Sequence, residues 1–232
     1  MATQREIIYS VKNILRGGLI TDDDRLSDRQ IAFLIDGARA VLLRQQYDKG
    51  QLMSENNIQH LQCVPVTSTD TAFNDVDFPS DCRVYRSNAR IPRPIEAKGK
   101  DLIMSITSAE FGGFTYEVVP YTRIPYMQYT RFKRPAAVLY NGYIYLVNAP
   151  YTEQISVSGI FENPNDLASF DSCSTRVCFD WDTPYPVSSH LIDPIIKMVT
   201  EELTLMLKVQ VDKTNNANEG LEPQTKTEEG GS

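Results

Sequence analysis

Apolar positions along the chain change period twice. Over the first fifty residues they recur at helical spacing, from about 58 to 162 they alternate, and from 189 they return to helical spacing. Ile7, Ile8, Val11, Ile14 and Leu15 fall on one face of a first predicted helix. Thr3 and Glu6 fit a capping box at its start, because Thr3 can accept from the Glu6 amide while Glu6 reaches back to the cap. Gly17-Gly18 should stop it, since glycine closes a helix in the left-handed region without steric cost. Ser27 and Gln30 repeat the capping pattern, with Leu26 and Ile31 at staple spacing. The stripe of the second helix is Ile31, Leu34, Ile35, Ala38, Val41 and Leu42. Phe33, Ala40 and Leu43 lie off that stripe, so this helix is expected to pack on more than one neighbour. A last helix is predicted over 189–208, with Asp193-Pro194 in its first turns, where proline is tolerated. Its stripe is Ile196, Val199, Leu203 and Leu207, with Ile195, Met198 and Leu205 beside it.

The middle of the chain reads as strands. Asn141-Gly142 between β-branched and aromatic residues is a strong hairpin signal, because both turn positions need positive φ. Ile155, Val157 and Phe161 continue the alternation up to Pro164, and 102–106 and 115–119 are further strands. Prolines 92, 94, 120, 125 and 135 keep the segments short. The expected fold class is α+β: N-terminal and C-terminal helices packed as a helical bundle, with an antiparallel β-rich insert. The expected division is a helical bundle of 1–57 and 186–209, a β-rich insert of 58–185, and a polar tail of 210–232. That tail has almost no apolar residues and cannot bury a core of its own.

Charge adds an asymmetry that the pattern does not show. The chain carries −7 overall, yet 83–134 holds ten Lys/Arg against four acids, leaving −13 for the rest. A basic middle between acidic flanks suits an oriented surface that meets charged neighbours. Seven of the ten, Arg83, Arg86, Arg90, Arg93, Arg131, Lys133 and Arg134, are interleaved with Tyr85, Tyr129 and Phe132. Salt bridges to an acidic neighbouring surface are the favoured reading, with DNA contact and plain surface as the alternatives. Nucleic-acid binding through 83–134 is the alternative function. The adjacent acids Asp22, Asp23 and Asp24 lack the spacing of a calcium loop and read as a solvated loop.

Catalytic and metal patterns are missing from the sequence. There is no GxGxxG, GxxxxGK[ST], GxSxG or HExxH. His60 and His190 are the only histidines, and both read as structural. Glu201 and Glu202 are helix neighbours that point about 100° apart, so they form no carboxylate pair. Cys63, Cys82, Cys173 and Cys178 contain no CxxC, which argues against zinc and for free thiols. No cofactor is expected and the reading is not an enzyme. No run approaches the roughly 18 apolar residues of a membrane span, and no signal sequence opens the chain, so no membrane partner is expected.

Three segments carry a resemblance: YRSNARIPRPI; YNGYIYLVNAP followed by ISVSGIFENP; and YPVSSHLIDPIIKMVTEEL running into DKTNNANEG. Their order resembles the head-to-tail adaptors of podovirus-type phages, the tail tubular protein A-like family, and the ring proteins of crAss-like phages. The resemblance implies a structural ring-forming adaptor, usually of twelve copies, that joins portal to tail and lines the DNA channel. In the family the strand ending in Phe-Glu-x-Pro closes the insert, and the Tyr-Pro segment introduces the long helix. The polar tail leaves that helix to meet the portal, which here falls on Val211, Asp212, Lys213, Asn215 and Asn216. The implied partners are copies of the chain, the portal protein, other tail or ring proteins, and DNA passing without sequence specificity. The implied place is the head-tail junction of a virion assembled in the host cytoplasm. Subunit packing is expected to draw on Ile31, Leu34, Ile35, Val41, Ile196, Val199 and Leu203; all of these but Val41 are expected inside, with some flanking residues shared between copies.

Overall fold

Helices precede and follow the strands, as the apolar period predicts, with Thr3 and Ser27 as N-caps; the expected stop at Gly17-Gly18 and the acidic loop Asp22–Asp24 lie outside the described residues. A computed structural model describes residues 2–16, 26–68, 84–109, 113–127, 129, 134–170 and 181–209. In α1 (Gln4–Leu15) the Thr3 hydroxyl accepts from the Glu6 amide at 3.2 Å. The Glu6 carboxylate accepts from the Thr3 amide at 3.0 Å, which completes the capping box. In α2 (Asp28–Asp48) the Ser27 hydroxyl accepts from the Gln30 amide at 3.2 Å. The buried arc of α2 is centred on Ile31, Ile35, Ala38, Arg39 and Leu43. Val41, read as part of the stripe, is 44% exposed, and Leu43, expected off the stripe, is fully buried. A helix apolar on most of its circumference does not announce its inner arc by period alone; the neighbours it packs against decide it.

The β part is a barrel. Its elements are β1 (Gln59–Ser68), β2 (Val84–Ser87), β3 (Glu96–Ala97), β4 (Lys100–Asp101), β5 (Ile103–Ser108), β6 (Thr115–Val118), α3 (Ile124–Met127), β7 (Ala136–Tyr140), β8 (Tyr143–Val147) and β9 (Gln154–Gly159). Seven strands close in the order β1-β2-β8-β7-β6-β5-β9, with β9 returning to β1. β3 and β4 form a separate two-stranded ribbon. The predicted hairpin is present: Tyr140 pairs with Tyr143, and Asn141 and Gly142 take φ of 51° and 79°.

This architecture corrects the expected helical bundle carrying an antiparallel β-rich insert. The strands form a closed body around an interior of their own, including Ile106, Tyr116, Ile144, Leu146, Val157 and Phe161. One pair, β6 with β7, is parallel, joined through the 3-10 turn Tyr121–Arg123 and α3. Closure rests on β1 pairing with β9, as at Leu61 with Val157. Alternation tells which side chains face inward, but not which distant strand completes the ring of hydrogen bonds.

Two local features serve that closure. β1 carries one extra residue between Leu61 and Val64 relative to β9, and Cys63 in this bulge has φ of 57°. Cys63 is disulfide-bonded, which corrects the expectation of free thiols, since a pairing between distant cysteines leaves no local spacing to read. The other three cysteines lie outside the described residues. On β9, a Cβ at Gly159 would meet the Leu102 carbonyl oxygen at 3.0 Å, so glycine lets the chains approach there.

α4 (Ile192–Val209) follows the 3-10 turn Ser189–Leu191. α1, α2 and α4 pack on one another, burying Ile7, Val11, Ile31, Ile35, Ile195, Val199 and Leu203. Ala97 of β3 and Ile95, Leu102 and Ile160, which flank the strands, complete this core and seat the helical layer on the β part. Each fully buried aliphatic side chain contributes about 1.5–3 kcal/mol relative to exposure.

Candidate assembly surfaces and a buried polar junction

The least expected feature lies where helices meet barrel. Arg39 of α2 is fully buried, and its guanidinium is spent on neutral acceptors. Nε donates to the Pro186 carbonyl at 2.8 Å, and Nη1 donates to the Phe161 carbonyl at 2.8 Å. Nη2 donates to the Gln59 side chain at 3.3 Å. One side chain therefore fastens α2 to the start of β1, to the chain just beyond β9, and to the segment leading into α4. Only a planar fork of donors reaches three divergent acceptors in this way.

Asp36, one turn earlier, accepts from three sides. The Tyr185 hydroxyl donates at 2.6 Å, the Asn165 amide at 3.2 Å and the Gln4 amide at 3.4 Å. Burial pushes the Asp36 carboxyl up to about 6, opposed by the Tyr185 hydrogen bond and by the Arg39 charge. Burial likewise lowers Arg39 and raises Tyr185. Nearby, Asn57 Oδ1 accepts from both the amide and the hydroxyl of Ser188. The sequence offers one overlooked signal for this junction: an acid and a base at i and i+3 among apolar residues of a greasy helix.

The residues expected to pack subunits divide by burial. Ile31, Ile35, Val199 and Leu203 are 0% exposed and belong to the internal core. Leu34 and Ile196 are partly buried, and Val41 is exposed, so these three retain surface to offer. Phe33 at 76%, Ile14 at 57% and Leu205 at 63% are also exposed.

Among the described residues, the basic side chains sit in different environments. Arg86 is buried, with its guanidinium 4.4 Å from the Tyr143 ring centroid, and Arg90 lies 5.5 Å from the same ring. Arg93 is exposed and pairs with Glu162 at 3.6 Å, and Arg134 is exposed. Arg83, Arg131 and Lys133 lie outside the described residues, as do the docking residues Val211, Asp212, Lys213, Asn215 and Asn216.

His60 Nδ1 bonds the Ser158 hydroxyl at 2.8 Å across the β1–β9 pair, and His190 Nε2 lies 2.9 Å from the Gln46 amide. Glu201 and Glu202 are exposed on α4. Among the described residues, no group of three His, Cys, Asp or Glu is placed to hold a metal ion. No helix among them is long and apolar enough to cross a membrane.

A family model described as phage tail ring protein 2 matches residues 6–224, nearly the whole chain. That match agrees with the resemblance to the ring proteins of crAss-like phages read from the sequence. No curated protein matches the chain.

Proposed function

Because this chain belongs to the phage tail ring protein 2 family, a structural component of the tail, we propose that it works as a ring-forming adaptor joining portal to tail, with DNA passing through its lumen. The family match over 6–224 carries this reading. Around it stand an apolar core shared by helices and strands, exposed apolar residues on the helical layer, and a strongly uneven charge. A non-enzymatic role fits this picture, since the buried ionisable groups are occupied in joining elements.

In this reading the ring has about twelve copies and sits at the head-tail junction of the virion. Arg90, Arg93 and Arg134 meet acidic neighbouring subunits; Arg86, buried against Tyr143, supports the barrel instead. The remaining −13 repels phosphate, which suits a channel that must let DNA slide. Residues 210–232 act as a docking arm to the portal: each copy loses entropy on ordering and binds modestly, but a ring presents many copies at once.

The test is electron microscopy of the full chain mixed with portal, beside a chain lacking 211–232. The full chain should form rings that cap the portal, and the truncated chain should fold without joining it. A full chain that stays monomeric beside portal refutes the adaptor reading, and a truncated chain that docks normally removes the role of the arm.

A further inference from the structure

α2 has two apolar faces, and the core uses one. Phe33, Gly37 and Val41 recur every fourth residue, which places them on a ridge opposite the buried arc of Ile31, Ile35, Arg39 and Leu43. Phe33 projects from it, Val41 is half exposed, and a Cβ built on Gly37 meets nothing within 4 Å. Arg29 lies one turn before Phe33, and Arg44 follows Val41 on the same face; both are exposed. The ridge is therefore apolar along its crest and basic at its flanks, apart from Asp48, which sits 3.9 Å from Arg44.

A matching surface lies on the other two helices. The end of α1 and the first turns of α4 enclose a groove of about 380 Å³, lined by Ile14, Asp193, Ile196, Lys197, Thr200 and Glu201. Ile14 and Ile196 give it an apolar floor, and Thr200 turns its hydroxyl away to the Ile196 carbonyl at 2.5 Å. Two acids and one lysine leave the rim net negative.

We infer that the α2 ridge of one copy seats in the α1–α4 groove of the next copy, with Phe33 as the knob and Arg29 and Arg44 against Asp193 and Glu201. The inference rests on the ring reading and names the surfaces that close it. A ring needs a head-to-tail contact between two different faces of each copy, and ridge and groove are different faces on different helices. Their shapes are convex and concave, and their flanking charges are opposite in sign, which favours this register over ridge on ridge.

The test uses two full-length variants at exposed positions, Phe33→Cys and Lys197→Cys, with the native chain as control for its own four cysteines. Oxidation of an equimolar mixture should give a dimer joined through the two introduced thiols, identified by peptide mapping. The double variant should give a ladder of covalent oligomers. Phe33→Asp should raise the concentration for half-assembly by about tenfold or more, since an aromatic anchor is lost and a charge is buried. Arg29→Glu should weaken assembly, and Glu201→Arg in the same chain should restore it. Rings seen by electron microscopy without this cross-link overturn the contact and leave the ring reading standing; neither rings nor cross-link removes both. A link between two Phe33→Cys copies makes the contact two-fold and overturns the proposal. A link that appears only after deletion of 211–232 makes the groove the seat of that tail, and likewise overturns it.

Discussion

Replacing Arg39 by methionine tests the junction between helices and barrel. The change keeps most of the apolar stem and removes the guanidinium, so the effect reports on the three donated bonds. Two of these go to main-chain carbonyls, Pro186 and Phe161, at 2.8 Å each. A buried carbonyl that loses its donor costs about 1–3 kcal/mol. The Gln59 side chain, at 3.3 Å, contributes less. Asp36 also loses the positive charge that favours its ionised form. Against this, methionine no longer has a charge to desolvate. The balance is a loss of about 3–5 kcal/mol, the range found when one member of a buried charged network is removed. That is a large part of a typical domain's 5–15 kcal/mol.

Urea unfolding followed by circular dichroism measures it: the midpoint should fall with the slope unchanged. Arg39→Lys separates charge from geometry. Lysine keeps the charge but not the fork, and should recover no more than about half of the loss. An Arg39→Met chain within about 1 kcal/mol of native would refute the reasoning, because the carbonyls would then have found other donors. Full recovery by lysine would refute the geometric half of it.

Two further outcomes follow from single positions. The Asp36 carboxyl is raised from 3.8 to about 6 by burial, so the folded chain holds its proton more tightly than the unfolded chain between those values. The stability it contributes is complete below about pH 4 and is lost as pH rises through 6, by about 3 kcal/mol. Native stability minus that of Asp36→Asn should therefore fall by this amount between pH 4 and 7.5, and a flat or rising difference in urea titrations contradicts the assignment. Gly142→Ala places a Cβ at φ 79° with only ordinary contact to Arg90, so the penalty is conformational, about 1–2 kcal/mol. A melting temperature lowered by a few degrees with the barrel intact is expected, and an unchanged one would mean the turn relaxes.

Legibility in the sequence followed the range of each interaction. Caps at Thr3 and Ser27 and the Asn141-Gly142 turn depend on neighbours within four residues, and their residue types state their geometry. The barrel does not, because the partners of β1 lie in β2 and in β9, far along the chain. The role of Arg39 is hidden for the same reason, although its pairing with Asp36 at i and i+3 hints at it: its acceptors are at 59, 161 and 186. The basic stretch shows a different limit. Arg86, Arg90 and Arg93 look equivalent as charges, yet strand pairing buries the first against Tyr143 and leaves Arg93 outside with Glu162. Subunit packing residues split likewise, since a stripe of apolar residues does not say which neighbour, internal or external, will cover it.

The position of the junction connects stability to assembly. In the proposed ring the knob lies on α2 and the groove on α1 and α4, so the angle between successive copies is set by how α2 sits against the other two helices. Apolar packing alone is non-directional and tolerates small sliding. Asp36 ties α2 to Gln4 in α1 and to Tyr185 ahead of α4, and Arg39 ties it to Pro186 in the same segment. These bonds are directional, and they lie on the core side of α2, between ridge and groove. A small angular error repeated around a ring either prevents closure or changes the number of copies. A buried cluster of charged groups is a poor way to gain stability, since well-packed apolar residues can serve as well. Its place here fits a different requirement, which is to hold the two mating surfaces of one subunit at a fixed angle.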